Sequence, residues 1–171
     1  TSRKDCADEI LQEMARRIDD SGVSIGQVLI DPAQLHTRRL LTRNGFPHLT
    51  NLQFMRHPLS NLPSTQSLKE KQIEPVRYDA VQNRQRFLDM LELTHQESHD
   101  CPALNQVRTA EESLESHRSS GDSDQAHWYL FQRGETDLGI LLLSEHQSDL
   151  SWEVVYMGVA PNQRGQGTGS A

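Results

Sequence analysis

The sequence predicts an α/β fold, a mixed central sheet flanked by helices, on three observations. Amphipathic helical stripes alternate with short β-branched runs, three strand-like runs crowd together near the end, and glycines fall between them. At 171 residues the chain is long enough for one ordinary domain or two small ones.

Ala7, Ile10, Leu11, Met14, Ala15 and Ile18 repeat at helical spacing, so a helix is expected over about 5 to 20, closed by Gly22. Val23 to Ile30 is β-branched and apolar and reads as a strand. Asp31-Pro32 reads as the cap and first turn of a second helix that runs to Asn44 and stops at Gly45. Leu49 to Met55 reads as another strand. The first segment, 1–59, is therefore expected to be helix, strand, helix, strand.

Residues 60–73 shift to Ser, Pro, Gln, Lys and Glu, the composition of a solvated linker. The second segment, 74–171, begins with a short strand at Val76 to Tyr78. Phe87, Leu88 and Leu91 then mark a helix over about 83 to 95. Thr109 followed by Glu112 has the spacing of a capping box, and the helix it opens is expected to end near Gly121. Three strands follow at His127 to Arg133, Leu138 to Ser144 and Trp152 to Val159, with Gly134 in the first turn.

Composition narrows the partners. A formal charge of -7 argues against a phosphate-backbone binder, so nucleic acid is not an expected partner. No run approaches the ~20 apolar residues of a membrane span, and the first residues lack the order of a signal peptide. The two cysteines, Cys6 and Cys101, form neither a metal pair nor a disulfide framework, and a cytoplasmic location is expected. The eight histidines show no ligand spacing, so no metal is implied. The chain starts at Thr1, not Met, and stops two residues past Gly169, which reads as a fragment of a longer polypeptide.

The chemistry is concentrated at the end, in Val159-Ala-Pro-Asn-Gln-Arg-Gly-Gln-Gly-Thr-Gly169. Glycines after a strand let the backbone approach a ligand and turn N–H groups toward it, and a helix starting there would add the positive end of its dipole. A nest for a diphosphate is one reading, and a plain glycine turn is the other. The lysine and Ser/Thr of a P-loop are absent, and no βαβ unit with a downstream acid follows.

This run, Val-x-Pro-x-x-Arg-Gly-x-Gly-x-Gly, resembles the central motif of GNAT-superfamily N-acetyltransferases. Residues 74–171 also resemble the first half of that fold in the order of their elements. Trp152-Glu-Val-Val-Tyr-Met-Gly-Val159 is similar to the corresponding strand of mycothiol-synthase-like tandem members, and Asp100 to Asn105 falls where that family shapes its acceptor site. Residues 1–59 look like the second half of a GNAT repeat. There Gln34 stands at a position usually held by a CoA-contacting Asn, and Leu41 at that of the usual acidic Tyr.

The resemblance implies direct acetyl transfer from acetyl-CoA to the amine of a small molecule. Backbone N–H groups around Met157, Gly158 and Val159 would polarise the thioester, and those of Arg164, Gly165, Gln166, Gly167, Thr168 and Gly169 would hold the diphosphate. Glu153, on the face of Val155, Met157 and Val159 by regular alternation, is the candidate general base or else a solvated edge carboxylate. Tyr156, on the opposite face by the same alternation, is an acid or a core residue, and Cys101 a loop nucleophile or a small buried thiol. A non-catalytic acyl-CoA-binding module is the alternative function. The two segments are complementary halves of one fold in reversed order, so Val23 to Ile30 is expected beside Trp152 to Val159, within one chain or in a swapped homodimer.

Overall fold

The computed structural model describes residues 3–22, 25–61, 66–98, 109–118, 127–148 and 150–170. It divides the chain into two units, Thr1–Arg56 and His57–Ala171.

In the first unit the helical stripe forms α1, Arg3–Asp20, which packs against α2, Leu35–Arg43. Leu41 and Asn44 are buried there. The Asn44 amide is satisfied by Gln12, Asp8 and the Leu40 carbonyl, as a buried polar group must be. The Arg43 guanidinium hydrogen-bonds Asp8 and, with Asn44, holds its carboxyl below the usual carboxylate range. Asp31 accepts the Ala33 N–H at 2.8 Å and makes a turn of its own, so α2 begins at Leu35, later than Asp31-Pro32 suggests.

Neither strand expected in this unit forms. Residues 25–30 and 49–55 carry no regular structure, and Leu29, Phe54 and Met55 are 68%, 77% and 85% exposed. Residues 23 and 24 lie outside the described residues. A β-branched run becomes a strand only when a neighbour takes its N–H and C=O groups, and these runs have no such ladder. The strand expected over Val23 to Ile30, and expected to pair beside Trp152 to Val159, is therefore not formed among its described residues, 25–30.

The second unit opens with a 3₁₀ turn, Leu59–Asn61, and its first α-helix, α3, Gln66–Glu70, lies inside the segment expected to be a solvated linker, with Ile73 buried after it. Then come β1, Glu74–Arg77; α4, Arg84–His95; α5, Ala110–Arg118; and β2, β3 and β4 at Trp128–Arg133, Thr136–His146 and Ser151–Val159. The capping box is realised in full: Glu112 accepts the Thr109 N–H at 2.9 Å, and Thr109 Oγ1 accepts the Glu112 N–H at 3.1 Å. Residues 119–126 and the loop 99–108, with Cys101, lie outside the described residues.

The sheet has the order β1-β2-β3-β4, and every pair is antiparallel. The mixed sheet expected from the sequence is thus corrected to an antiparallel one. Short turns join β2, β3 and β4 as a meander, and no described strand of the first segment adds a parallel neighbour. One face is covered by α4 and α5 through Phe87, Leu88, Met90, Leu91 and Leu114, packed on Trp128, Leu130, Ile140 and Leu142. Phe87 and Trp128 stack with centroids 6.1 Å apart. By the pleat, Tyr129, Phe131, Leu141 and Leu143 point to the other face, where they are only partly buried.

Two contacts fix α4 at its N-terminal end. Asp79 accepts the Val81 and Gln82 N–H groups, at 2.8 and 2.9 Å, and Arg86 binds Asp137 with two nitrogens and Gln132 with one. The Asp137 carboxylate raises the Arg86 pKa, and the Gln82 and Val81 N–H groups lower that of Asp79.

Two predictions follow from this packing. A Cβ on Gly139 would lie 2.3 Å from the Gly158 carbonyl oxygen, a backbone atom of the facing strand. Gly139→Ala is expected to lower unfolding free energy by about 1–3 kcal/mol, read from urea midpoints. Because the Asp79 pKa is depressed in the fold, its contribution is complete above the ordinary value of 3.8 and disappears as pH falls through the folded value. Asp79→Asn is therefore expected to lower stability at neutral pH, to leave stability at pH below the folded value nearly unchanged, and so to flatten the acid limb, read from urea midpoints across pH.

Candidate functional site

The site grows out of the C-terminal end of β4. The Ala160 N–H donates to the Leu138 carbonyl at 2.9 Å, so by alternation Gly158 also faces β3, and the N–H groups of Met157 and Val159 point to the outer edge. Of the three residues expected to polarise a thioester, Met157 and Val159 are placed to offer donors there. Gly158 serves packing: a Cβ on it would lie 2.6 Å from Thr94 Cβ and 2.7 Å from Thr94 Oγ1. The last turn of α4 therefore rests directly on β4.

Past Ala160 a 3₁₀ turn, Pro161–Gln163, leads into the glycine loop. Gly165 and Gly167 both have φ of 71°, the left-handed region that a side chain with a Cβ avoids. Among the described residues Gly165, Gln166 and Thr168 donate no backbone hydrogen bond. The loop ends in a short 3₁₀ turn, Thr168–Ser170, so the helix expected to add its dipole is not formed within the described residues. Thr168 Oγ1 is buried without a partner, a state that costs about 1–3 kcal/mol.

Arg164 holds the loop in place. Its Nε donates to the Val159 carbonyl at 3.0 Å, and its two terminal nitrogens donate to the Thr94 and Glu97 carbonyls at 3.0 and 3.2 Å. These last two acceptors lie at the C-terminal end of α4, where carbonyls lack helical partners and a cation is favoured by the helix dipole. The Arg164 side chain is thus turned back onto the protein. On the other side of the loop, Lys71 Nζ donates to the Gly167 carbonyl at 2.6 Å.

Glu153 sits elsewhere on β4. The β3–β4 register shifts between Leu142 and Leu143, so that Leu142 pairs with Tyr156 and Leu143 with Val154, leaving Val155 as a bulge. One extra residue reverses the alternation before it. Glu153 therefore shares the face of Tyr156 and lies opposite Met157 and Val159, the reverse of the arrangement expected from a regular strand. Its carboxylate is 49% exposed and lies 2.9 Å from His146 Nε2. Six residues separate it from Val159, or ~20 Å along a strand, so only an elongated ligand could touch both Glu153 and the loop.

Tyr156 packs against the core, between the rings of His95 and His117, each with a centroid 5.5 Å away. Its hydroxyl is 3.0 Å from Thr94 Oγ1, which donates its own proton to the Leu91 carbonyl at 2.9 Å, so Tyr156 is the donor of the pair. In the first unit, Leu41 is core and Gln34 is exposed. A shallow hollow there is lined by Leu35, Arg38, Arg39, Thr42, Arg43 and His48. Among the described residues no group of three or more His, Cys, Asp or Glu is placed to hold a metal, and no helix is long and apolar enough to cross a membrane.

The sequence reading missed Lys71, Thr94 and His146. Lys71 and Thr94 reach the site only through contacts distant in sequence, which no local pattern carries. His146 was legible in principle, because the turn after it brings it back beside Glu153. No family model, no curated protein and no solved structure matches the chain.

Replacing Arg164 with Ala removes three charge-assisted bonds to carbonyls. The expected loss is about 2 kcal/mol of unfolding free energy, with Arg164→Lys recovering only part because one ammonium cannot span three diverging acceptors. Equal urea midpoints for Arg164→Ala and wild type would place the guanidinium in solvent.

Proposed function

We propose that the chain is a GNAT-type N-acetyltransferase that moves an acetyl group from acetyl-CoA to the primary amine of a small molecule. The observation that carries this reading is the loop from Arg164 to Gly169. Two left-handed glycines turn its backbone, its arginine is engaged by the protein, and Gly165, Gln166 and Thr168 donate no backbone bond among the described residues.

In this reading the diphosphate lies on the loop and the pantetheine arm runs back along the outer edge of β4. The outward N–H groups of Met157 and Val159 meet the acyl arm there and favour the oxyanion that forms when the amine attacks the thioester carbonyl. The carbon–sulfur bond then breaks, CoA leaves as a thiolate, and the proton lost by the amine passes through intervening water toward Glu153, which at ~13 Å along the strand from Met157 does not take it directly. His146 orients that carboxylate through its 2.9 Å contact.

The half exposure of Glu153 favours a second reading, an acyl-CoA-binding module without turnover, because a solvated edge carboxylate looks the same. Two measurements separate them. Gly167→Val puts a β-branched residue at a φ of 71° and is expected to weaken CoA binding in calorimetry at least ten-fold under either reading. Glu153→Gln is expected to lower acetyl-CoA turnover by roughly 10²- to 10⁴-fold with CoA affinity unchanged if the chain is an enzyme. Tight CoA binding with no turnover against a panel of amines establishes the binding module instead.

A further inference from the structure

We infer that Lys71 is a diphosphate ligand of the glycine loop, supplying the positive charge that the loop's own residues do not. The inference rests on the acyl-CoA reading of that loop. Lys71 lies 96 residues before Gly167 in sequence, yet its ammonium meets the Gly167 carbonyl at 2.6 Å. Three features fix the lysine in that place. Its carbonyl accepts Arg133 Nε at 3.1 Å, Gln72 after it turns left-handed with φ of 53°, and Ile73 is anchored in the core at 5% exposure.

Within the loop, the only cationic side chain is Arg164, three of whose five N–H groups go to the carbonyls of Val159, Thr94 and Glu97, which draws the guanidinium toward the end of α4. Backbone N–H groups alone would then face a dianionic diphosphate in a chain of net charge -7. An ammonium carries three protons, and the Gly167 carbonyl takes one. The other two sit beside the turn in which Gly165, Gln166 and Thr168 donate no backbone hydrogen bond among the described residues. Because the ammonium is held against a carbonyl of the loop itself, the group it meets is the diphosphate and not the ribose 3′-phosphate of CoA.

The test is calorimetry of CoA and 3′-dephospho-CoA on the full chain, comparing wild type with Lys71→Met, Lys71→Gln and Lys71→Arg. Gln keeps a donor for the Gly167 carbonyl and removes the charge, so it separates a mechanical latch from a ligand contact. Met and Gln are both expected to weaken the two ligands alike, by about ten- to a hundred-fold, while Arg stays within a few-fold of wild type. Thermal melts of the four proteins guard against a folding artefact, since the backbone contacts of residue 71 are kept in every variant. Wild-type affinity in Lys71→Gln would make the lysine a latch only, and a loss confined to CoA would move it to the 3′-phosphate. Either result overturns the inference and leaves the acyl-CoA reading standing, whereas a wild type that binds neither ligand removes both.

Discussion

The Arg164 guanidinium bonds to the carbonyls of Val159, Thr94 and Glu97, and the geometry of everything beyond β4 depends on that contact. A helix end leaves carbonyls without partners, and a planar cation with several diverging N–H groups satisfies them while gaining from the dipole. The contact requires α4 to approach β4 closely, which the missing side chain of Gly158 permits. At its other end α4 is tied to the β2–β3 hairpin by Arg86, Asp137 and Gln132. The helix therefore acts as a strut between that hairpin and the glycine loop.

Charge pairs contribute unequally to this arrangement. On α1, Arg16 and Arg17 bind Glu13 with side chains 61% and 75% exposed, and pairs so open to solvent and screening salt add little to stability. The Arg86–Asp137 pair is two-pronged, its carboxylate is 21% exposed, and it joins a helix to a sheet. Geometry and partial burial make it worth more, though solvent at the guanidinium keeps it on the order of 1 kcal/mol.

Local rules carried the second unit well. The Thr109 and Glu112 pair marked the start of α5 because a capping box is closed within four residues, and Gly134 marked a hairpin because a tight turn demands it. The runs 25–30 and 49–55 have strand composition as well, but composition sets only a preference, and the ladder that turns it into a strand comes from a partner. The bulge at Val155 was equally hidden, since nothing in Trp152-Glu-Val-Val-Tyr distinguishes a regular strand from one with an extra residue. That one residue decided which face Glu153 occupies. At the glycine loop the local motif was legible, while the lysine beside it depends on a contact spanning most of the second unit.

Among the described residues β4 is an edge strand, with Val154 and Met157 60% and 57% exposed, and such an edge invites unwanted pairing. Three features blunt it. The bulge at Val155 breaks the regular spacing of donors and acceptors, Glu153 places a charge before it, and Arg164 occupies the outward carbonyl of Val159. The regular edge that remains is the short stretch between bulge and arginine, with the outward N–H groups of Met157 and Val159. A stretch that short is a poor template for another strand, because a ladder needs several consecutive pairs. It can still serve an extended ligand arm that asks for one or two donors, and it leads directly into the loop proposed to hold the diphosphate. The features that protect the edge thus leave accessible the part that the proposed chemistry uses.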